Sequence, residues 1–406
     1  MIEKLHEAGI FKQHHAFDAE GIFIGDATYL FVPDNPKYEN SSRLLFDERN
    51  HPVEGRTLTA KQLARCRWKR CYKLVSLIHT NRAAEFFLYA GLVVTAGQDH
   101  ECPLLYGLVE AFVEYHGRGV MKRLILDRGL LDGAQIGRCK QLWGINVLIP
   151  VRNNMEIYRD VVGLDRAGEL SFQPWVASLS SAKPLPVHRP EHIQKREEKR
   201  QKTLAQKKAQ IAAPAPPAPS EVRVRSEIAA VNGLESFSTC PIPLHALVNQ
   251  EIYADGHSEF WVLVDTAPIR EPARTRQEYG LRPIIEERHR QLKCFSDLES
   301  FPSRAFSLVV HQVVFVLLTY SLLQWFLLRI DRKELNPKTR TRTLELLRPT
   351  LTVIVIYYQN YMAFLTPLQH QELVLTLSEP ARKKILTKTR RLRRSLAQAL
   401  QHARSP

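Results

Sequence analysis

The sequence predicts an α/β fold, a mixed sheet interrupted by a β-rich segment and followed by C-terminal helices. Three observations predict it. Residues Gly21–Val32 form an apolar, β-prone run in which Ile22, Ile24, Asp26, Thr28 and Leu30 alternate onto one face. Two short apolar runs, Arg123–Gly129 and Gly144–Pro150, enclose a stretch with helical spacing, the pattern of buried strands joined by a helix. Residues Tyr279–Lys293 read at about 100° per residue as an amphipathic helix with a charged face and an apolar face.

Taken in order, residues 1–20 predict a short helix or tail. The first strand then carries an acid in its middle, and burying a carboxylate is costly unless it is paired or binds a cation. A turn follows at Pro33–Ser42. Strands are predicted at Tyr72–His79 and Glu85–Thr95, and a helix at Pro103–Tyr115, where Leu104, Leu105, Leu108, Val109 and Phe112 share a face. The strand Arg123–Gly129 ends on Asp127. Asp132 is placed to cap the helix 133–143, which leaves Asp127 free of that task. Strand–helix rhythm stops over 151–267, an expected insertion with a basic, proline-rich linker at 180–220 and strands near Glu221–Arg225, Glu251–Ala254 and Glu259–Val264.

The core is expected to resume at 268–330 after its first part at 21–150, and 331–406 to form a helical, basic C-terminal region. Ser307–Ile330 carries no acid or base until Arg329 and is long enough to cross a bilayer. His311, Gln312, Thr319, Ser321 and Gln324 favour a buried core helix instead. Leu344–Leu365 reads as helical, though its β-branched residues from Leu351 leave it ambiguous.

The chain has 406 residues, 44% of them hydrophobic, so it can bury a large core. Its net charge of +15 suits a polyanionic partner, nucleic acid before a membrane surface. Six cysteines with no CxxC spacing fit a reducing cytosol rather than a disulfide framework.

On the charged face of the last predicted core helix stand Arg282, Glu286, Arg290 and Lys293, with Tyr279 just ahead. Pro283 lies inside this stretch, so the regular helix is expected to begin near Arg282, with Tyr279 in the preceding turn. Tyr, two residues, Arg, three residues, Glu, six residues, Lys is the spacing around the last acid in DDE transposases of the insertion-sequence-four type. The chain resembles that family over roughly residues 20–330, and its strand and helix order is that of an RNase H-like core.

The resemblance implies a catalytic and metal-binding triad of Asp26, Asp127 and Glu286, with Glu287 rejected by the spacing. It implies two Mg²⁺ or Mn²⁺ ions, since hard cations with oxygen ligands let clustered carboxylates ionise. It implies Tyr279, Arg282 and Lys293 as DNA contacts, to which Arg290 is added from its place on the same charged face, and Trp261 as an indole on which a flipped base stacks. The implied partners are double-stranded DNA, as transposon-end inverted repeats and as target, and a second copy in a synaptic complex, with no membrane. The implied location is the bacterial cytoplasm, at the nucleoid. Family members carry a longer segment ahead of the first acid. The alternatives are an RNase H-like nuclease or resolvase, or an inactive, truncated relic.

Overall fold

The computed structural model describes residues 17–55, 58–175, 223–338, 354–358, 361–365 and 367–402. Residues 1–16 of the expected N-terminal tail and the whole of the basic linker at 180–220 lie outside these residues. Two compact units divide the chain, Met1–Pro337 and Lys338–Pro406.

The first unit is built on one mixed sheet. Its centre is parallel: β1 (Ile22–Val32), β5 (Arg123–Ile125) and β6 (Asn146–Pro150) lie side by side. On one flank β3 (Arg67–Thr80) pairs antiparallel with β1, and both β2 (Ser42–Phe46) and β4 (Leu88–Ala96) pair with β3. On the other flank β10 (Ser258–Asp265) pairs antiparallel with β6, followed by β9 (Leu244–Tyr253), β8 (Arg223–Leu234) and β7 (Gln173–Pro174). The β-rich segment between the second and third acids therefore extends the central sheet.

Alternation along β1 divides the core into two layers. Phe23 joins Val75, Leu77 and Leu124 beneath α2 (Glu101–His116) and α3 (Gly133–Trp143). Ile22, Ile24 and Leu30 face the opposite layer with Ile285, Leu292, Val309, Val313 and Leu317. A Cβ on Gly25 would stand 2.7 Å from Leu126 and 2.8 Å from Leu105, so the close seating of α2 on β1 requires glycine there. A short α1 (Ala60–Leu63) precedes β3, and α4 (Glu156–Arg166) follows β6.

The acid-bearing stretch is two helices rather than one. α5 (Pro272–Tyr279) ends on Tyr279, and α6 (Arg282–Phe295) begins at Arg282 with Pro283 in its first turn. Proline lacks an amide donor, and the first turn of a helix is where that loss costs least. Tyr279 therefore closes the preceding helix, whereas the sequence placed it in a turn.

α7 (Phe306–Arg329) corrects a second expectation. It is not fully buried. Val309, Val313, Leu317, Ser321, Gln324 and Leu327 pack inward, while Leu308, Phe315, Leu322 and Phe326 are exposed. Its two buried polar residues serve the edge of the sheet. Ser321 Oγ accepts from the Tyr89 amide at 3.2 Å, and Gln324 Oε1 from the Phe87 amide at 3.2 Å. Among the described residues this is the one helix long and apolar enough to cross a membrane by length and composition.

In the second unit, β11 (Ile354–Tyr358) and β12 (Tyr361–Leu365) pair as an antiparallel hairpin, in the stretch that read as helical but ambiguous from Leu351. The β-branched run Ile354, Val355, Ile356 is stiff at χ1 and suits a strand. α8 (Pro367–Thr376) and α9 (Glu379–His402) follow.

Candidate active site

Asp26 stands at the middle of β1, opposite Ser76 of β3. β1 and β5 run parallel with Ile24 level with Ile125. Two residues further along each chain, on the same face, come Asp26 and Asp127. Asp127 opens a 3-10 turn, Arg128–Leu130, and its side chain makes no capping bond there. Asp132 performs the capping, accepting from the Gln135 amide at 3.1 Å. The third acid, Glu286, is delivered by the first turns of α6, which packs on the face of the sheet that Asp26 occupies.

Arg282 ties the three together. Its Nη2 lies 3.3 Å from Asp26 Oδ1 and 3.2 Å from Asp127 Oδ2, and its Nη1 donates to Glu286 Oε1. Two oxygens bound to one nitrogen are separated by no more than the sum of those distances, so Asp26 and Asp127 share one small volume. The acids line an open cleft of about 430 Å³, whose wall includes His51, Glu101, Asp127, Arg282, His289 and Lys293.

The electrostatics follow from depth. Burial pushes the Asp26 carboxyl up to about 7, against the pull of Arg282 and the Ala27 amide, and the charges of Asp127 and Glu286 add to the rise. Burial works against the charge on Arg282, but the three carboxylates more than offset it and its pKa rises. Lys293 is drawn inward, donating to Thr28 Oγ1 at 3.0 Å and to the Tyr29 carbonyl. Burial lowers its pKa, with Glu299 at 3.4 Å acting in the other direction.

The raised Asp26 pKa gives a stability prediction. Its folded value, about 7, exceeds its ordinary value of 3.8. The native state therefore favours the protonated acid. That contribution is complete below pH 3.8 and is lost as pH rises to about 7. Asp26→Asn should stabilise the fold above neutral pH, by about 1.4 kcal/mol for each tenfold rise in proton affinity that burial gives the carboxyl, and leave it nearly unchanged near pH 4. Thermal melts of both proteins at pH 4 and pH 8 check this; equal differences at the two pH values would refute it.

The remaining site candidates fall into two groups. Arg290 lines the cleft, but its guanidinium is paired with Glu287 at 2.6 Å. The same pairing, with Gln291 donating at 2.8 Å, lowers the Glu287 carboxyl to about 2 and turns it away from the acid cluster. Tyr279 and Trp261 do not line the cleft. Their rings meet edge to face at 5.1 Å, and Arg276 lies 4.6 Å from the Trp261 ring centre. Burial pushes the Tyr279 phenol up.

His289 is a site residue that the sequence pattern alone did not single out. It is buried on α6, with Nδ1 at 3.9 Å from Asp26 Oδ2 and Nε2 at 3.2 Å from Ser76 Oγ. Burial lowers its pKa to about 3, so it faces Asp26 as a neutral imidazole. Its spacing, three residues after Glu286 on the same helical face, was the available signal.

An α/β sheet that gathers three acids from distant segments into one cleft defines a class of polynucleotide-processing enzymes. The chain matches the transposase DDE domain family over residues 38–322, more than half its length, and belongs to it. The matched span contains Asp127 and Glu286, while Asp26 precedes it and joins them through geometry. No curated protein matches the chain. Membership implies a DNA substrate and strand-processing activity, and members of the family generally use divalent metal ions.

Whether the residues fit such ions depends on donor chemistry. Carboxylate oxygens are the ligands that Mg²⁺ and Mn²⁺ prefer, and here three converge where a positive group already sits. That group is the guanidinium of Arg282. Among the described residues no three acidic, histidine or cysteine side chains stand together as a ready ligand set. The donors fit; the arrangement in this structure is the one bridged by arginine.

Proposed function

We propose that this protein is a DNA transposase of the insertion-sequence-four type that cuts transposon ends and joins the freed 3′-OH to target DNA, by a cut-and-paste route. The observation that carries the reading is the convergence of Asp26, Asp127 and Glu286 on one guanidinium in an open cleft with a cationic rim. Asp26, Asp127 and Glu286 would hold two Mg²⁺ or Mn²⁺ ions, which when bound supply activation of water and stabilisation of the leaving 3′ oxygen.

The chain's own groups do the rest. Arg282, among the acids, is within reach of the phosphate on which they act. Lys293 and Arg290, two to three turns further along α6, would grip the strand beside it. His289, held by Ser76, keeps Asp26 oriented without adding charge. Trp261, with Tyr279 packed edge to face against its ring, would receive an extruded base during a hairpin step. Duplex DNA, as element ends and as target, would be held by two copies in a synaptic complex in the cytoplasm.

The test is a cleavage assay on labelled duplexes carrying the element's own ends, with Mg²⁺ or Mn²⁺. Nicked, hairpin and strand-transfer products separate on denaturing gels. Strand-transfer products support a transposase over a nuclease or resolvase on the same core. Trp261→Ala should spare the first nick and slow the hairpin step about tenfold for each 1.4 kcal/mol of stacking lost. Wild-type protein that cuts neither strand with either ion would overturn the reading, and loss of nicking and solubility together in Trp261→Ala would make the indole a packing residue.

A further inference from the structure

The β2–β3 pair projects beyond the rest of the sheet. β1 pairs with β3 only as far as Val32 opposite Arg70, and β4 only as far as Ala96 opposite Tyr72. Arg67, Trp68 and Lys69 have β2 as their one strand neighbour, through Phe46, Leu45 and Leu44. Phe46, the partner of Arg67 at the far end of this two-stranded ribbon, is fully buried and packs back on β1, its ring meeting those of Tyr29 and Phe31 edge to face at 5.1 Å each.

The projecting end is basic and aromatic. Lys61, Arg65 and Arg67 are exposed, and among the described residues no carboxylate lies within ion-pairing distance of them. Trp68 is 55% exposed, an unusual position for an indole, and the Arg43 guanidinium stands 5.3 Å from its ring centre. Arg43 itself is held by Asp34 at 2.9 Å.

The ribbon is continuous with the cleft. Lys69 donates to Asn50 in the loop between β2 and α1, and the next residue, His51, lines the cleft. The Phe31 ring lies between the two sites, with Lys69 Nζ at 4.7 Å and Lys293 Nζ at 5.8 Å. A chain of cations and rings thus leads from the acid cluster to the tip of the ribbon.

We infer that this ribbon is a second DNA-binding element, which grips the duplex leading into the cleft. The inference rests on the cleft being a site of DNA strand cleavage. A two-stranded ribbon matches the width of the major groove, and exposed Lys and Arg side chains supply the counter-charge for its phosphate walls. Trp68 covers sugar and base edges and braces Arg43. Duplex DNA is favoured over an acidic protein surface because Lys69, Asn50 and His51 link the ribbon to the cleft where DNA must lie.

The test compares the full chain with Lys61→Gln/Arg65→Gln/Arg67→Gln and with Trp68→Ala. Binding to a fluorescent duplex is measured by anisotropy across a KCl series, with melting curves as a check on folding. The triple variant should bind more weakly, with a log–log salt slope shallower by roughly 2 to 3, since each lost phosphate contact contributes about 0.9. Trp68→Ala should weaken binding with little change in slope. A triple variant that melts like wild type and keeps its slope and affinity overturns the proposal. Glu286→Gln, run in parallel, separates the two readings. Full binding without cutting supports the cleft, and cutting by that variant removes the cleft reading while the slope comparison still decides the ribbon. A wild-type protein with no salt-dependent duplex binding removes both.

Discussion

Glu286→Gln should abolish strand cleavage while DNA binding and the fold survive. The Glu286 side chain is 57% exposed, so exchanging its carboxylate for an amide disturbs little packing. What changes is charge. One of three negative groups around Arg282 is lost, and with it, on the proposed function, a hard oxygen donor for ion-assisted phosphodiester chemistry, a contribution of several kcal/mol. A loss of about 4 kcal/mol corresponds to roughly 10³-fold in rate. Glu287→Gln is the control that makes the result specific. Its carboxylate is committed to Arg290 and Gln291 and does not line the cleft. Removing that surface ion pair should cost under about 1 kcal/mol of stability and leave cleavage nearly unchanged. Single-turnover cleavage at saturating DNA measures both. Equal losses in the two variants would show that the helix, rather than Glu286, is what the reaction needs.

Each acid breaks a local rule, but it was the resemblance to the family that picked the three out together. Asp26 interrupts an apolar strand, Asp127 ends one without capping a helix, and Glu286 stands among cations on an otherwise ordinary amphipathic helix. Strand alternation even placed Asp26 on the correct face. What stayed hidden depended on three-dimensional neighbours. Nothing in the spacing says that Arg282 would turn back onto all three carboxylates, because that contact joins α6 to β1 and to the end of β5. Trp261 and Tyr279 could be named but not paired, since they meet only through the seating of α5 on β10. Arg288 broke the apolar face of α6 in sequence, yet it is buried, donating to the carbonyls of Asn336 and Pro337 at 3.2 and 3.1 Å. The polar residues of α7 argued for a buried helix, yet His311 and Thr319 are exposed. Only the positions of Ser321 and Gln324 distinguish its inner face.

Arg123→Ala should be the most destabilising single change outside the apolar core. Arg123, at the start of β5, donates to both carboxylate oxygens of Asp265 at 2.7 Å and lies 3.1 Å from Glu278. Arg82 extends the network, 2.7 Å from Glu278 and 3.2 Å from Glu20. The Asp265 side chain is only 3% exposed. Truncating Arg123 leaves that carboxylate buried, with the Ala267 amide at 2.8 Å as its remaining donor. Breaking a buried pair from one side typically costs about 3 to 5 kcal/mol, because an uncompensated charge stays behind. Glu278 retains Arg82, so Asp265 carries most of the penalty. Arg123→Met/Asp265→Leu removes both charges and should recover much of the loss, which a single deletion cannot do. Urea unfolding of the two single variants and the double variant measures the coupling. A double variant as unstable as the sum of the single ones would mean that the ion pair contributes nothing beyond its separate side chains. Glu278 also belongs to α5, directly ahead of Tyr279, so the same network sets where α6 begins. Loss of Arg123 should therefore loosen the seating of Arg282 and slow cleavage below the denaturation midpoint, through position rather than through chemistry.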